Sequence, residues 1–215
     1  IEAAGYRVVL HGQKAWNGVA IVSRREGVVR QIGLPGQEES GARFLTADFQ
    51  EFSFTTVYCP NGKAVSHADF PRKLAWFDAL ADHLRAGKDR DRPAILCGDF
   101  NICPAALDTW NEEEMRGQIF HTEQERDRFR RLLDGGFHDL FRETHPDRRE
   151  FSWWDYRGGS FHRGLGLRID FLLATQTLMS RVQTVKIDRD FRKKREGLTP
   201  SDHAPVIMDL DLSNP

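Results

Sequence analysis

An acid and an amide follow one of the most apolar runs of the sequence. Asp99 and Asn101 lie two residues apart in the segment GDFN at 98–101, directly after the apolar residues 94–97. Side chains alternate between the two faces of a strand, so both groups are expected on one side of the strand end. Such a pair can hold a water molecule and a phosphate oxygen. A solvent-exposed turn is the alternative, since Asp and Asn are common turn residues.

A second polar group ends another strand-like segment. In VYCPNG at 57–62, Pro60 cannot donate to a strand ladder and forces the chain out of the sheet. Tyr58 and Asn61 can then face a cleft. Taken alone, the segment is equally consistent with a half-buried strand aromatic followed by a turn-forming Asn.

A third group combines carboxylates with a histidine. Asp170 stands inside an apolar run, and a buried carboxylate is costly unless it has a charged or hydrogen-bonded partner. Arg168 is one candidate partner, two positions away on the same face. His203 is the other, because it can carry a proton near neutral pH. Its neighbour Asp202 is a hard-oxygen ligand suited to a metal ion.

The elements that must position these groups are mostly strands. Alternation and β-branched or aromatic content predict strands at 7–10, 18–23, 43–49, 52–58, 94–98, 151–154, 168–174, 182–187 and 206–212. An apolar stripe predicts a helix over 70–84, with Trp76 off the stripe. A second helix is predicted from a capping box at Thr122 and Glu125 to a stop at Gly135. Many strands and few helices imply packed sheets with helices outside.

Composition narrows the class of protein. The chain has 215 residues, 31 Lys and Arg against 32 Asp and Glu, and a formal net charge of −1. This fits one globular domain over residues 1–215, with no membrane span and no nucleic-acid binding by bulk charge alone. The three cysteines have no zinc or disulfide spacing, which favours a reducing, cytoplasmic setting. The first residue is Ile1, so we expect that an upstream segment has been removed.

Taken together, the motifs resemble those of the exonuclease III type of apurinic/apyrimidinic (AP) endonuclease, within the endonuclease/exonuclease/phosphatase superfamily. The resemblance runs from about Gly5 to the end of the chain. It is carried by NGVA at 17–20, VYCPNG at 57–62, GDFN at 98–101, FSWWDYR at 151–157, GLRID at 166–170 and SDHAP at 201–205. The WWDY and GLRID segments are particular to the DNA-repair branch of the superfamily.

The resemblance implies a fold and an activity. The fold is a four-layer α/β sandwich, with two mixed β-sheets face to face and helices outside. The activity is hydrolysis of phosphodiester bonds in DNA, as a 3′→5′ exodeoxyribonuclease and an abasic-site endonuclease. The implied cofactor is Mg²⁺, with Mn²⁺ as a substitute, and the implied partner is double-stranded DNA at abasic sites and 3′ ends. A monomer associated with the nucleoid is expected.

Site roles carry over position by position. Asp99 is expected to orient and deprotonate the attacking water with help from Asn101, while Tyr58 and Asn61 contact the scissile phosphate. His203, held by Asp170, is expected to stabilise the developing oxyanion. Asp202 contributes to the metal site. Further expected contacts are Asn17 and Arg157 to DNA phosphates, and Trp153, Leu167 and Ile169 in a pocket for a flipped, base-free sugar.

One departure from the family pattern concerns the metal. In similar proteins an Asn and a Glu on two strands that precede the equivalent of Gly5 also bind the ion, and these strands are absent here. We therefore expect an N-terminally truncated chain that lacks its principal carboxylate ligand and has doubtful activity by itself.

Alternatives remain for the DNA-facing groups and for the function. For Ile169, ordinary core packing is as consistent with the sequence as a place in the pocket. The basic stretch 186–195 can contact phosphates or can be a solvated run of charges. A phosphatase of small phosphoesters would need Asp99, Asn101, Asp170 and His203 but not the segment 153–157. A DNA-binding module without catalysis is the other alternative.

Overall fold

The computed structural model describes residues 1–87, 92–194 and 196–213. Its strands are β1 (Arg7–Gly12), β2 (Gly18–Ser23), β3 (Val28–Ile32), β4 (Phe44–Asp48), β5 (Ser53–Tyr58), β6 (Ala94–Asp99), β7 (Phe137–Asp139), β8 (Asp170–Thr175), β9 (Val182–Ile187) and β10 (Val206–Leu210). Its α-helices are α1 (Asp69–Ala86), α2 (Glu112–Met115), α3 (Glu123–Asp134), α4 (Leu140–Thr144), α5 (Ser160–Arg163) and α6 (Gln176–Met179). Short 3₁₀ turns connect several of these elements.

A six-stranded mixed sheet forms the centre of the fold. Its strand order is β3-β4-β5-β6-β8-β7. Strands β5 and β6 run parallel, and every other neighbouring pair in this sheet is antiparallel. A parallel pair requires a crossover connection, which α1 provides.

Helices α1 and α3 cover one face of this sheet. The rings of Phe77, Phe100, Phe129 and Phe171 meet there, with the centroids of Phe129 and Phe171 only 4.7 Å apart. Trp76 also belongs to this core and is fully buried, so the prediction that it lies off the buried stripe is wrong. The physical reason is that α1 is covered on two sides, by the sheet and by α3.

Two antiparallel strand pairs cover the opposite face. Strands β1 and β2 pack on β4 and β5, whereas β9 and β10 pack near β8 and α4. The predicted class, a mixed α/β fold with a multi-stranded sheet flanked by helices, is confirmed. The second layer differs from a single mixed sheet, because its described strands form two separate antiparallel pairs.

Several local predictions need correction. Residues 151–154 are not a strand, since Trp153 forms only isolated bridges with Leu167 and His203. The strand predicted at 168–174 begins at Asp170, because Arg168 turns into a buried ion-pair network. Strands β3 and β7 were not predicted: β3 is largely exposed, and β7 has only three residues.

Other local predictions are confirmed. Thr122 caps α3, Glu125 completes the capping box, and the helix ends before Gly135. Cys59, Cys97 and Cys103 are free thiols. None of the helices in the described ranges has the length and apolar character needed to cross a lipid bilayer.

Candidate active site

Three side chains stand in one row across the central sheet. The ladder pairs Tyr58 of β5 with Asp99 of β6, and Asp99 with Asp170 of β8. Strands β5 and β6 end at this rim of the sheet, where antiparallel β8 begins. The row opens into a cleft of about 460 Å³ that is also lined by Gly18, Val19, Ala20, Thr56, Val57 and His203.

A glycine allows β6 to approach β5 closely just before Asp99. Gly98 has φ 137°, and a Cβ built on it would lie 1.9 Å from the carbonyl oxygen of Val57. A larger residue there would push the two strands apart. The glycine of the GDFN segment thus maintains the register that aligns Asp99 with its neighbours.

Asn101 folds back onto Asp99. Its φ of 50° lies in the left-handed region, which Asn tolerates better than most residues. Its backbone N–H donates to Asp99 Oδ1 at 2.8 Å, and its Nδ2 donates to Asp99 Oδ2 at 3.2 Å and to the Cys59 carbonyl at 3.0 Å. Both carboxylate oxygens of Asp99 are therefore held by one residue.

Asn61 reaches the same group from the turn after β5. Pro60 follows the end of the β5 ladder, as the sequence predicted, and Asn61 Nδ2 donates to Asn101 Oδ1 at 3.2 Å. The two amides and the Asp99 carboxylate form one hydrogen-bonded chain. The structure thus brings the polar ends of two predicted strands together.

His203 and Asp170 are hydrogen-bonded, with 2.8 Å between Nδ1 and Oδ2. The ring donates, because an ionised carboxylate can only accept. The hydroxyl oxygen of Ser152 accepts from the backbone N–H of Asp170 and of Ile169, both at 3.1 Å, and so fixes the start of β8. The alternative prediction, that Arg168 pairs with Asp170, is wrong. Arg168 instead donates hydrogen bonds to the carboxylates of Asp108 and Asp139.

These neighbours perturb the protonation of Asp99 and His203. Burial raises the pKa of Asp99 to about 7, and the adjacent charge of Asp170 acts in the same direction. Burial opposes the imidazolium of His203, but the hydrogen bond and charge of Asp170 outweigh it and raise the pKa of His203 to about 9. At neutral pH the site therefore combines a carboxyl near its midpoint with a protonated imidazole.

Tyr58 is kept neutral by its surroundings. Burial raises the pKa of its phenol, and the charge of Asp99 raises it further. The Arg43 guanidinium lies 4.8 Å from the centre of the ring and also donates to the Tyr58 carbonyl at 3.0 Å. Tyr58 can thus serve the cleft as a hydrogen-bond donor.

Asp202 lies beside the row and is held by Trp153. The indole Nε1 donates to Asp202 Oδ2 at 3.0 Å. The charge of Asp202 contributes to the raised pKa values of both Tyr58 and His203. Among residues 1–87, 92–194 and 196–213, no three His, Cys, Asp or Glu side chains form a group able to hold a metal ion. Asp202 can supply one hard-oxygen ligand, but the described residues do not form a complete ligand set.

An apolar cluster adjoins the polar row. Leu167, Ile169 and Cys103 are buried together, and Trp153 packs against them with part of its side chain exposed. Trp110 and Phe120 complete the cluster, although no sequence pattern singles them out. The three residues predicted to form a pocket are thus neighbours, and isolated bridges from Leu167 to Trp153 and from Trp153 to His203 join them to the polar row.

Two predicted DNA contacts lie apart from this group. The Asn17 side chain donates to the Ser40 carbonyl at 3.4 Å and does not line the cleft, although Gly18 does. Arg157 is exposed and forms a close ion pair with Asp155 at 2.8 Å. In the basic stretch 186–195, Lys193 pairs with Asp190, and Arg195 lies outside the described residues.

Sequence reasoning also missed four residues that support the polar row. Arg43 packs on Tyr58, and Ser152 holds the start of β8. Lys73 and Glu125 form a fully buried ion pair behind Asn101. Glu125 was identified only as a helix cap, and a lysine in an amphipathic helix gives no signal of burial.

Comparison with known proteins places these features in a family. A model described as the Endonuclease/Exonuclease/phosphatase family matches residues 2–203. The chain belongs to this family. Exodeoxyribonuclease III of Haemophilus influenzae is 37% identical over 218 residues, which cover 95% of this chain and 80% of the relative. Exonuclease III-type nucleases of this family are generally metal-dependent.

Solved structures agree with the fold. A 3′ phosphatase from Neisseria, bound to a product DNA hairpin, has a TM-score of 0.90 at 37% identity over 98% of this chain and 81% of its own. An AP endonuclease from Archaeoglobus fulgidus has a TM-score of 0.92 at 31% identity, with the same coverage. The expectation of an exonuclease III-type, DNA-acting nuclease is thus confirmed at the level of family and relatives.

Proposed function

We propose that the protein hydrolyses phosphodiester bonds in DNA as a Mg²⁺-dependent abasic-site endonuclease and 3′→5′ exodeoxyribonuclease. The observation that carries the proposal is the alignment of Tyr58, Asp99 and Asp170 across three neighbouring strands, with His203 hydrogen-bonded to Asp170. This polar row adjoins an apolar cluster at the same rim. A phosphodiesterase that selects a base-free sugar needs both features.

The nucleophile in this proposal is a water molecule activated by Asp99. A general base works best when its pKa lies near the working pH, and burial beside Asp170 raises the pKa of Asp99 to about 7. The two hydrogen bonds from Asn101 fix the orientation of the carboxylate. Asp99 takes the proton of the water as the water oxygen attacks phosphorus, the ester bond from phosphorus to the leaving sugar oxygen breaks, and that oxygen takes up a proton from solvent.

The developing negative charge is stabilised by preorganised donors. The protonated imidazole of His203, oriented by Asp170, faces the cleft and can donate to a phosphate oxygen. The neutral phenol of Tyr58 and the amide of Asn61 are further contacts to the scissile phosphate. These groups need little rearrangement during the reaction, because their own hydrogen bonds already hold them.

Recognition of an abasic site is assigned to the apolar cluster. The partly exposed indole of Trp153, packed on the buried side chains of Leu167 and Ile169, offers a surface for a sugar without a base, rotated out of the helix. Asn17 and Arg157 are retained as proposed phosphate contacts outside the cleft. We treat residues 1–215 as one catalytic domain that acts on double-stranded DNA as a monomer in the cytoplasm, at the nucleoid.

Mg²⁺ is the proposed metal, with Mn²⁺ able to replace it. The support is the hard-oxygen chemistry of Asp202 and the concentration of acidic groups at the rim. Because the described residues do not supply a full ligand set, no step of the proposed mechanism passes through the ion. When bound, such a cation neutralises charge on phosphate.

The test compares substrates in Mg²⁺ buffer: a duplex with one abasic site, a duplex with a recessed 3′ end, a duplex with a 3′ phosphate, and p-nitrophenyl phosphate. For the complete protein, we expect cleavage of the first two substrates and no hydrolysis of the small phosphoester. A 3′ phosphatase is the second candidate, favoured by the likeness to the Neisseria enzyme. Hydrolysis of p-nitrophenyl phosphate alone, or DNA binding without cleavage, would overturn the proposal.

A further inference from the structure

Lys73 and Glu125 form an ion pair in the interior of the protein. Both side chains are 0% exposed, and Lys73 Nζ donates to Glu125 Oε1 at 2.5 Å. Burying two charges is costly, and a buried pair often adds no net stability compared with apolar residues of similar volume. Such a cost is more consistent with a role in positioning other groups than with a role in stability.

The other hydrogen bonds of Lys73 go to the backbone of two proposed active-site residues. Its ammonium donates to the carbonyl of Asn101 at 2.6 Å and to the carbonyl of Asn61 at 3.3 Å. Together with Glu125, these contacts use all three N–H donors of the lysine. Gly62 leaves room for the lysine stem, since a Cβ there would lie 2.9 Å from Lys73 Cδ.

Glu125 connects this ammonium to the start of α3. Its Oε1 accepts from the backbone N–H of Phe120 at 3.1 Å, and its Oε2 accepts from the N–H and hydroxyl of Thr122 at 3.1 and 2.7 Å. The residues at the start of α3 thus fix the Glu125 carboxylate independently of its contact with the lysine. A rigid element behind the site therefore sets the position of the ammonium.

We infer that the Lys73–Glu125 pair is the positioning element that holds the loops after β5 and β6 in the geometry needed for catalysis, an inference that rests on the proposed function. The ammonium fixes both carbonyls at once, and the side chains of Asn61 and Asn101 are hydrogen-bonded to each other and then to Asp99. Loss of the pair releases Asn101 from its left-handed backbone geometry and the Asp99 carboxylate from its two donors. Neither Lys73 nor Glu125 lines the cleft, so neither is a catalytic residue.

The test uses the double variant Lys73→Met/Glu125→Leu, which removes both charges together. We expect a cooperatively folded protein whose kcat on abasic duplex falls about 100-fold, because a shift of about 1 Å in a catalytic group has this effect, with little change in KM. The matched control is Asp78→Asn, which removes ion pairs with Arg128 and Arg131 that also join α1 to α3. Its kcat should equal that of the unmodified protein.

A second readout does not depend on activity. In the unmodified protein the side-chain amide protons of Asn101 should exchange slowly in NMR, since they are bonded to Cys59 and Asp99, and the double variant should lose this protection. If the unmodified protein does not cleave DNA, the proposed function fails. The exchange protection of the Asn101 amide protons then tests the positioning role by itself. A folded double variant with unchanged kcat and unchanged protection would overturn it. If that variant does not fold, Glu125→Gln is measured instead, and an unchanged kcat and protection would again overturn it.

Discussion

The Asp170→Asn substitution should lower the pKa of His203 and shift the pH dependence of catalysis. Asp170 supplies the hydrogen bond and the nearest charge that together raise the pKa of His203 to about 9 against the opposing effect of burial. An Asn at this position keeps the shape of the side chain but removes its charge. The charges of Asp99 and Asp202 remain, but with the hydrogen bond and charge of Asp170 lost, burial should bring the pKa of His203 down from about 9 toward its ordinary value of 6.5.

The size of the effect follows from these values. At pH 7.5, His203 would change from ~97% protonated with a pKa of about 9 to ~9% protonated with a pKa of 6.5. The difference between the two pKa values corresponds to about 3 kcal/mol of stabilisation of the folded protein by the protonated ring. Allowing for the partial exposure of the ring reduces this to about 2 kcal/mol. In the unmodified protein this stabilisation is fully present below pH 6.5 and is lost as the pH rises through about 9.

Activity should respond at both ends of its pH range. A rising limb near pH 7 reports the loss of the proton from Asp99, and a falling limb near pH 9 reports the loss of the proton from His203. Removing the negative charge of Asp170 lowers both pKa values, so both limbs should move to lower pH. NMR titration of the His203 ring gives the direct measurement, with Asp155→Asn as the control that should leave it unchanged. An unaltered His203 titration in Asp170→Asn would refute this explanation of the site.

Three further predictions concern the metal, the pocket and the core. Chelation with EDTA should abolish cleavage of abasic duplex and added Mg²⁺ should restore it; full cleavage in EDTA would exclude the proposed cofactor. Trp153→Ala should reduce kcat/KM on abasic duplex more than on recessed 3′ ends, because it removes the exposed wall of the apolar cluster; equal losses in gel assays would argue against a pocket. Phe129→Ala should lower the free energy of unfolding by about 3–5 kcal/mol, since the ring is buried against Phe100 and Phe171. A loss below about 1 kcal/mol in urea titrations would contradict this packing.

The sequence predicts best where a local pattern determines the structure. Helix α1 and the capping box of α3 were identified from periodicity and from the spacing of Thr122 and Glu125. The hydrogen bond between Asp170 and His203 was also expected, because a buried carboxylate needs a partner and the two motifs contain complementary groups. Each of these features depends on the spacing of a few neighbouring residues or on the need of a buried charge for a partner.

Long-range packing accounts for what the sequence did not predict. Arg168 finds its partners at Asp108 and Asp139, which no local pattern connects to it. Lys73 occupies an ordinary polar position of an amphipathic helix, yet α3 and the loop after β6 enclose it completely. The aromatic segment at 151–154 resembles a strand, but Trp153 turns its indole to Asp202 instead of joining a ladder. These outcomes depend on elements distant in the chain.

Single-turnover cleavage of an abasic duplex by Asp99→Asn tests most directly the claim that Asp99 is the general base. The substitution is nearly isosteric and removes one of two adjacent carboxylates, so the fold and DNA binding should be retained. The cleavage rate should fall by about 100-fold to 10,000-fold, as expected for the loss of a general base. A folded Asp99→Asn protein that binds the duplex and cleaves it at the unmodified rate would contradict the claim.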